Sequence, residues 1–291
     1  MSFSTEVKEE LSKKNNLSNK NLVKAELYGY LSTNNVSKDS GELKFATENE
    51  YNINRFSKLL NNLNIMGYDI NIVGNNFNII ISKKEVDKIK ELYQNFELPE
   101  AESEQKAFVR GCFLGSGSIN NPQNKYHIEI ILKDLNIAND VIKILKEYNI
   151  IFKVLEQNNH NKKKVSIYSK DGEEISKFLA FIEASSCVLK FEEIRVYRDM
   201  RNNVNRVVNC ETANLAKTVD AAVKQINAIK KLQETGKFNE LPDNLKELAK
   251  LRVENPEASL TELGQMLKEP IGKSGVNYRL KSIMKFAFTN G

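Results

Sequence analysis

Along residues 1–185 the apolar positions follow two alternating periods. Spacing of two marks strands at 42–47 and 126–132, and spacing near 3.6 marks amphipathic helices at 53–63 and 137–148. Each helix is followed by two short β-rich runs, split by Gly74-Asn-Asn in one case and by Asn158-Asn-His-Asn in the other. Closing helices are predicted at 84–93 and 172–182. From Ser186 onward the period-two signal vanishes and the pattern is helical. Residues 213–232 carry Leu215, Val219, Ala222, Val223, Ile226, Ile229 and Leu232 on one face, which predicts a long helix with that stripe inward, ended by Gly236. A second helix is expected at 243–254, between Pro242 and Asn255-Pro256.

The first 185 residues contain an internal repeat. Lys24-Ala-Glu-Leu-Tyr-Gly-Tyr-Leu-Ser-Thr-Asn-Asn-Val-Ser37 aligns with Lys106-Ala-Phe-Val-Arg-Gly-Cys-Phe-Leu-Gly-Ser-Gly-Ser-Ile119, so that Gly29 matches Gly111, and the elements downstream match in order. With a short first strand near Val36 and Ile119, each half reads αββαββα. Phe96-Glu-Leu-Pro-Glu-Ala-Glu-Ser-Glu has the composition of a linker between them. Gly29, Gly111 and Gly115 sit where two helix backbones can approach closely, which predicts that the leading helices pack across a pseudo-twofold axis.

Duplicated motif helices of this kind resemble those of the LAGLIDADG homing endonucleases, in which four-stranded sheets form a DNA-facing saddle and an acid ending each motif binds divalent metal. Here Asn34 and Ser116 stand at the acid positions. A hard divalent ion needs anionic oxygen to offset its dehydration, so nuclease activity is rejected and neither metal nor cofactor is expected. A residual nuclease would have to draw on Asp39 and Glu42, which have no counterparts in the second half.

The C-terminal region predicts a different module. Ser259-Leu-Thr-Glu262 is a capping box opening a short helix with Leu260, Leu263 and Leu267 inward, and a last helix starts near Ser274. With Val276 at the origin, Leu280, Ile283 and Ala287 fall within about 40° of it. Ser274, Asn277, Tyr278, Lys281 and Lys285 then point outward, with Arg279 on the flank. Short helix, turn and basic-fronted helix predict a helix-turn-helix, its turn longer than the usual three or four residues. Asn277 and Arg279 would read bases, and Lys273, Ser274, Tyr278, Lys281 and Lys285 would hold phosphates. The other reading is a small bundle with a soluble basic face.

Charge supports this asymmetry. The 291 residues carry a net charge of +5, with 25 basic and 25 acidic groups in residues 1–188 but 18 and 13 in residues 189–291. Only 8 residues are arginine, and Arg195, Arg198, Arg201 and Arg206 cluster as a candidate phosphate stripe, or as a helix face paired with Glu192, Glu193 and Asp199. No other catalytic pattern emerges. His127 and His160 lack triad partners, Gly115-Ser-Gly-Ser lacks the Lys-Ser/Thr ending of a phosphate loop, and Asn161-Lys-Lys-Lys suits a solvated turn. Cys112, Cys187 and Cys210 fit neither a disulfide framework nor a zinc site. No apolar run approaches a membrane span and no signal-peptide core is present, so a cytoplasmic protein without membrane partners is expected.

Across essentially its full length the chain resembles the WhiA family of bacterial regulators. The most specific strings are Val208-Asn-Cys-Glu-Thr-Ala-Asn214 and Lys273-Ser-Gly-Val-Asn-Tyr-Arg-Leu280. The resemblance implies an α+β fold: a degenerate LAGLIDADG-like domain with halves at 1–95 and 96–185, connecting helices at 186–236 and a helix-turn-helix domain at 237–291. It implies a DNA-binding, nucleoid-associated transcriptional regulator acting in cell division, chromosome segregation and sporulation. The repeat domain, neutral in charge, would serve protein contacts, and a scaffold of the division machinery with incidental DNA binding is the alternative. The polar run 209–214 reads as an interdomain hinge or a helix junction.

Overall fold

The computed structural model describes residues 2–39, 41–94, 97–159 and 162–289. The chain divides into two compact units, Met1–Asp199 and Met200–Gly291.

In the first unit both αββαββα halves form as predicted. The first comprises α2 (Lys20–Leu31), β1 (Val36–Asp39), β2 (Glu42–Thr47), α3 (Glu50–Asn62), β3 (Tyr68–Val73), β4 (Asn76–Ile81) and α4 (Lys83–Tyr93). The second comprises α5 (Glu102–Ser116), β5 (Gly117–Ile119), β6 (Ile128–Leu132), α6 (Leu135–Glu147), β7 (Lys153–Asn159), β8 (Lys162–Ser169) and α7 (Gly172–Phe181). The sheets have equivalent antiparallel orders, β1-β2-β4-β3 and β5-β6-β8-β7. Alternation sets their inner faces: Phe45, Ile79 and Ile81 in one sheet and Ile128, Ile130, Leu132, Val165 and Ile167 in the other are buried. Polar N-caps set the helix starts, with Asn19, Asn49, Asp134 and Asp171 each accepting a backbone N–H of the first turn.

The helices α2 and α5 cross at the matched glycines. A Cβ on Gly29 would collide with the Phe108 carbonyl oxygen and lie 2.7 Å from Cys112 N, and one on Gly111 would collide with the Glu26 carbonyl oxygen. An additional helix precedes the repeat. In α1 (Phe3–Ser12) Phe3, Val7 and Leu11 are buried in the common core, and the Glu10 carboxylate accepts the N–H groups of Ser186 (2.8 Å) and Cys187 (2.9 Å). Those amides open α8 (Ser185–Glu234), so the acid caps that helix and complements its dipole.

In the second unit the C-terminal part of α8 packs with α9 (Asp243–Glu254), α10 (Leu260–Met266) and α11 (Lys273–Thr289). Ile229, Leu232, Leu241, Leu248, Leu263, Leu267, Val276, Leu280 and Ile283 form the core. The predicted inward stripe of α8 is only partly inward. Ala222, Ile229 and Leu232 are buried, but Leu215, Val219 and Val223 are 66%, 51% and 50% exposed. The periodicity is present, yet among the described residues nothing covers its N-terminal portion. The run 209–214, read as a hinge or junction, lies inside α8 as continuous helix.

Candidate nucleic-acid interface

The helix-turn-helix element is built from local signals. Ser259 Oγ accepts the Glu262 N–H (3.2 Å) while the Glu262 carboxylate accepts the Ser259 N–H (2.7 Å), which completes the predicted capping box. Residues 267–272 connect α10 to α11. The turn folds tightly onto Gly264, whose carbonyl accepts the Ile271 N–H (3.1 Å) and where a Cβ would collide with the Ile271 carbonyl oxygen.

On α11, Val276, Leu280, Ile283 and Ala287 are buried as the 3.6 period requires. Lys273, Ser274, Asn277, Tyr278, Lys281 and Lys285 are exposed and Arg279 is half-buried on the flank. The helix contains no acidic residue, and Lys273, Arg279 and Lys281 make no ion pair among the described residues. One face of α11 therefore presents cations, an amide and hydroxyls free of internal competition.

The arginine cluster is partitioned. In the first unit Arg195 pairs with Glu192 (2.8 Å), and Arg198 stacks on the Tyr126 ring at 4.1 Å and donates to the Pro122 carbonyl (2.6 Å). These partners supply the competing reading for that pair. Arg201 and Arg206, in the second unit, are exposed and make no ion pair among the described residues.

At the ends of the motif helices, the hydroxyl of Ser116 donates to the Ile131 carbonyl (2.6 Å) and accepts the Ile131 N–H (3.1 Å). Asn34 is exposed. The last carbonyls of α5 are capped from the other half, Gly115 O by Asn35 Nδ2 (2.8 Å) and Leu114 O by Asn52 Nδ2 (2.7 Å). The oxygens available for a divalent ion are neutral and engaged, so this donor set does not fit the metal of the homing endonucleases. Among the described residues no group of three His, Cys, Asp or Glu side chains is placed to hold one. Glu42 is exposed at the far end of the β1–β2 hairpin, and the Asp39 side chain, His160 and Asn161 lie outside the described residues. His127 is half-buried beside the Tyr168 ring.

The open sheet faces are close to self-neutral. Register places Lys44, Asn78, Asp69 and Asn71 together on one, and Glu129, Lys164, Lys153 and Tyr168 on the other, where Lys164 pairs with Glu129 (3.2 Å).

Sequence reasoning missed the charge network that locks the halves together. Glu26 on α2 is buried and accepts from Arg55 Nε (2.7 Å) and Nη2 (2.9 Å) and from Arg110 Nε and Nη2 (both 3.0 Å). Arg110 continues to Glu183 (2.8 Å), which also meets Lys14 (3.2 Å). Burial alone would raise the Glu26 carboxyl, but the Arg110 and Arg55 guanidiniums outweigh it and hold the group below its ordinary value. The available signal was an arginine at position 110, inside an apolar helix of an arginine-poor chain.

Comparisons with known proteins agree with this architecture. Residues 105–201 match the family described as the WhiA LAGLIDADG-like domain, and residues 204–287 match the WhiA C-terminal HTH domain. A relative from Clostridium novyi (strain NT), named a probable cell division protein WhiA, is 38% identical over 99% of this chain and 98% of its own length. One from Clostridium tetani (strain Massachusetts / E88), with the same name, is 38% identical over 99% and 97%. Among solved structures, full-length DUF199/WhiA from Thermatoga maritima matches with TM-score 0.62 and 28% identity, covering 100% of this chain and 99% of that one. The N-terminal LAGLIDADG domain of DUF199/WhiA matches with TM-score 0.53 and 25% identity, covering 62% and 90%. From the duplicated sheets to the terminal helix-turn-helix, the chain belongs to the WhiA family.

Proposed function

We propose that this protein is a non-catalytic, sequence-specific DNA-binding regulator acting in cell division, with effects on chromosome segregation and, in sporulating bacteria, on sporulation. The observation that carries the reading is the outward face of α11, with Asn277 flanked by unpaired Lys273 and Lys281 and by Arg279. Asn277 pairs with adenine, Arg279 reads guanine on swinging outward, and Lys273, Ser274, Tyr278, Lys281 and Lys285 hold phosphates. Arg201 and Arg206 add backbone contacts. The relatives' name supplies the cell-division context. Hydrolysis is excluded on chemical grounds, since Asn34 and Ser116 offer a divalent ion too little negative charge.

The first unit then serves protein contacts, a role favoured by its self-neutral open sheets, and a division scaffold with incidental DNA binding is the competing reading. No helix among the described residues is long and apolar enough to cross a membrane, which accords with action at the nucleoid. Salt-titrated binding to genomic promoter fragments tests the proposal. Asn277→Ala should lower specific affinity by about 1–3 kcal/mol, whereas Lys281→Ala should weaken binding to all sequences and reduce the salt slope by about 0.9. Equal affinity for all fragments at low salt, untouched by Asn277→Ala, would favour the scaffold.

A further inference from the structure

Within the second unit, a cavity of about 280 Å³ lies between α8, the start of α10 and the first turn of α11. Its lining includes Lys217, Gln225, Arg252, Ser259, Thr261 and Lys273 and contains no acidic residue. Arg252 is only 2% exposed and has no carboxylate partner among the described residues. Its Nη1 donates to the loop carbonyls of Ala258 (2.7 Å), Asn255 and Pro256 (both 3.4 Å), which ties down the α9–α10 connection. That structural duty leaves Nε without any partner. Buried guanidinium groups are ordinarily matched by an anion, as Arg55 and Arg110 are by Glu26 in the first unit. Burial without a counter-ion pulls Arg252 below its ordinary value.

Three further features share the cavity. Gln225 is 7% exposed and its Oε1 has no partner, and rotation of the amide turns an N–H inward instead. Ser259 Oγ already accepts the Glu262 N–H, so its own hydrogen is left to donate. Lys273 opens α11, where its charge opposes the positive end of the helix dipole. That placement costs stability unless an anion sits against both.

We propose that this cavity is a phosphate-binding site, with Arg252 as its buried floor, Lys217 and Lys273 as its rim, and Ser259 and Thr261 as hydroxyl donors. A tetrahedral oxyanion satisfies the stranded Arg252 Nε and neutralises the rim together, which water cannot do. The phosphoryl group comes either from the backbone of a bound duplex or from a free phosphate compound. In the first case the site rests on the DNA-binding reading and clamps the backbone beside α11.

Two measurements on the full chain separate these sources. Lys217→Gln alters an exposed side chain without a structural partner, so it is the primary variant, and Arg252→Gln serves second because it also loosens the loop. If the duplex supplies the phosphate, Lys217→Gln lowers the salt slope by about 0.9 for every sequence, and the affinity lost between 50 and 200 mM salt shrinks about threefold. Asn277→Ala on the same fragments tests DNA reading independently. If the ligand is free, inorganic phosphate raises the melting temperature over chloride at equal ionic strength and broadens its phosphorus NMR line, and Lys217→Gln abolishes both effects while leaving the DNA slope unchanged. An unchanged slope together with no phosphate-specific shift in the wild type overturns the site, even where Asn277→Ala upholds DNA binding.

Discussion

Gly29 and Gly111 face each other across the junction of the two halves, so closely that a Cβ on Gly111 would stand 3.1 Å from the Cα of Gly29. Backbone therefore meets backbone where other helix pairs are separated by side chains, and the shortfall cannot be absorbed by a rotamer change. Gly111→Ala should destabilise the protein by about 3 kcal/mol or more, because one helix must be displaced. Gly272→Ala is the control. No atom lies within 4 Å of its would-be Cβ, so urea unfolding should shift by no more than about 0.5 kcal/mol.

Glu26 is the hub of charges drawn from α2, α3 and α5. Replacing it with Gln strands two buried guanidiniums, and about 3–5 kcal/mol should be lost. Because its folded-state value lies below the ordinary one of 4.5, its contribution is full above about pH 4.5 and disappears as pH falls through the folded value. Melting temperatures measured from pH 7 down to pH 3 should fall more steeply for wild type than for Glu26→Gln.

Thiol reactivity should single out one cysteine. Cys210 is exposed, whereas Cys112 and Cys187 are buried. Burial pushes the Cys112 thiol far up, and burial together with the Glu10 carboxylate pushes Cys187 up to about 12. Because the thiolate is the reactive species, an aromatic disulfide reagent should titrate one thiol rapidly in the folded protein and all three in denaturant. Fast modification of Cys187 would contradict the α1–α8 contact.

The stripe along α8 makes two predictions of opposite size. Val219 is half exposed and Ile229 fully buried on the same helix. Val219→Ser should change stability by no more than about 0.5 kcal/mol, and Ile229→Ala should cost about 2–5 kcal/mol by thermal unfolding. A large effect at Val219 would mean that this stretch is covered in solution.

Much of the fold was legible because its signals are local. The match of Gly29 to Gly111, the alternation through 42–47 and the capping box from Ser259 to Glu262 each lie within a short stretch or repeat at a fixed offset. The same holds for α11, whose buried and exposed faces follow from one helical period applied to Val276 through Ala287. Helix α1 was not read, although Phe3, Val7 and Leu11 carry the period, since ten residues give little pattern to weigh.

The sequence by itself determined the duplication, the order of elements, the neutral residues at the motif ends and the basic face of the last helix. Tertiary structure decided which charges are spent and which remain. Arg198 goes to Tyr126 and the Pro122 carbonyl, Arg110 goes to a carboxylate 84 positions away, and Arg252 is buried without a counter-ion. It also decided that Leu215 and Val219 lie open while Leu232 is covered. The physical reason is common to both. Periodicity reports that a helix has an apolar or charged face, but burial and pairing depend on what a distant segment brings against it, and a local pattern carries no record of that segment.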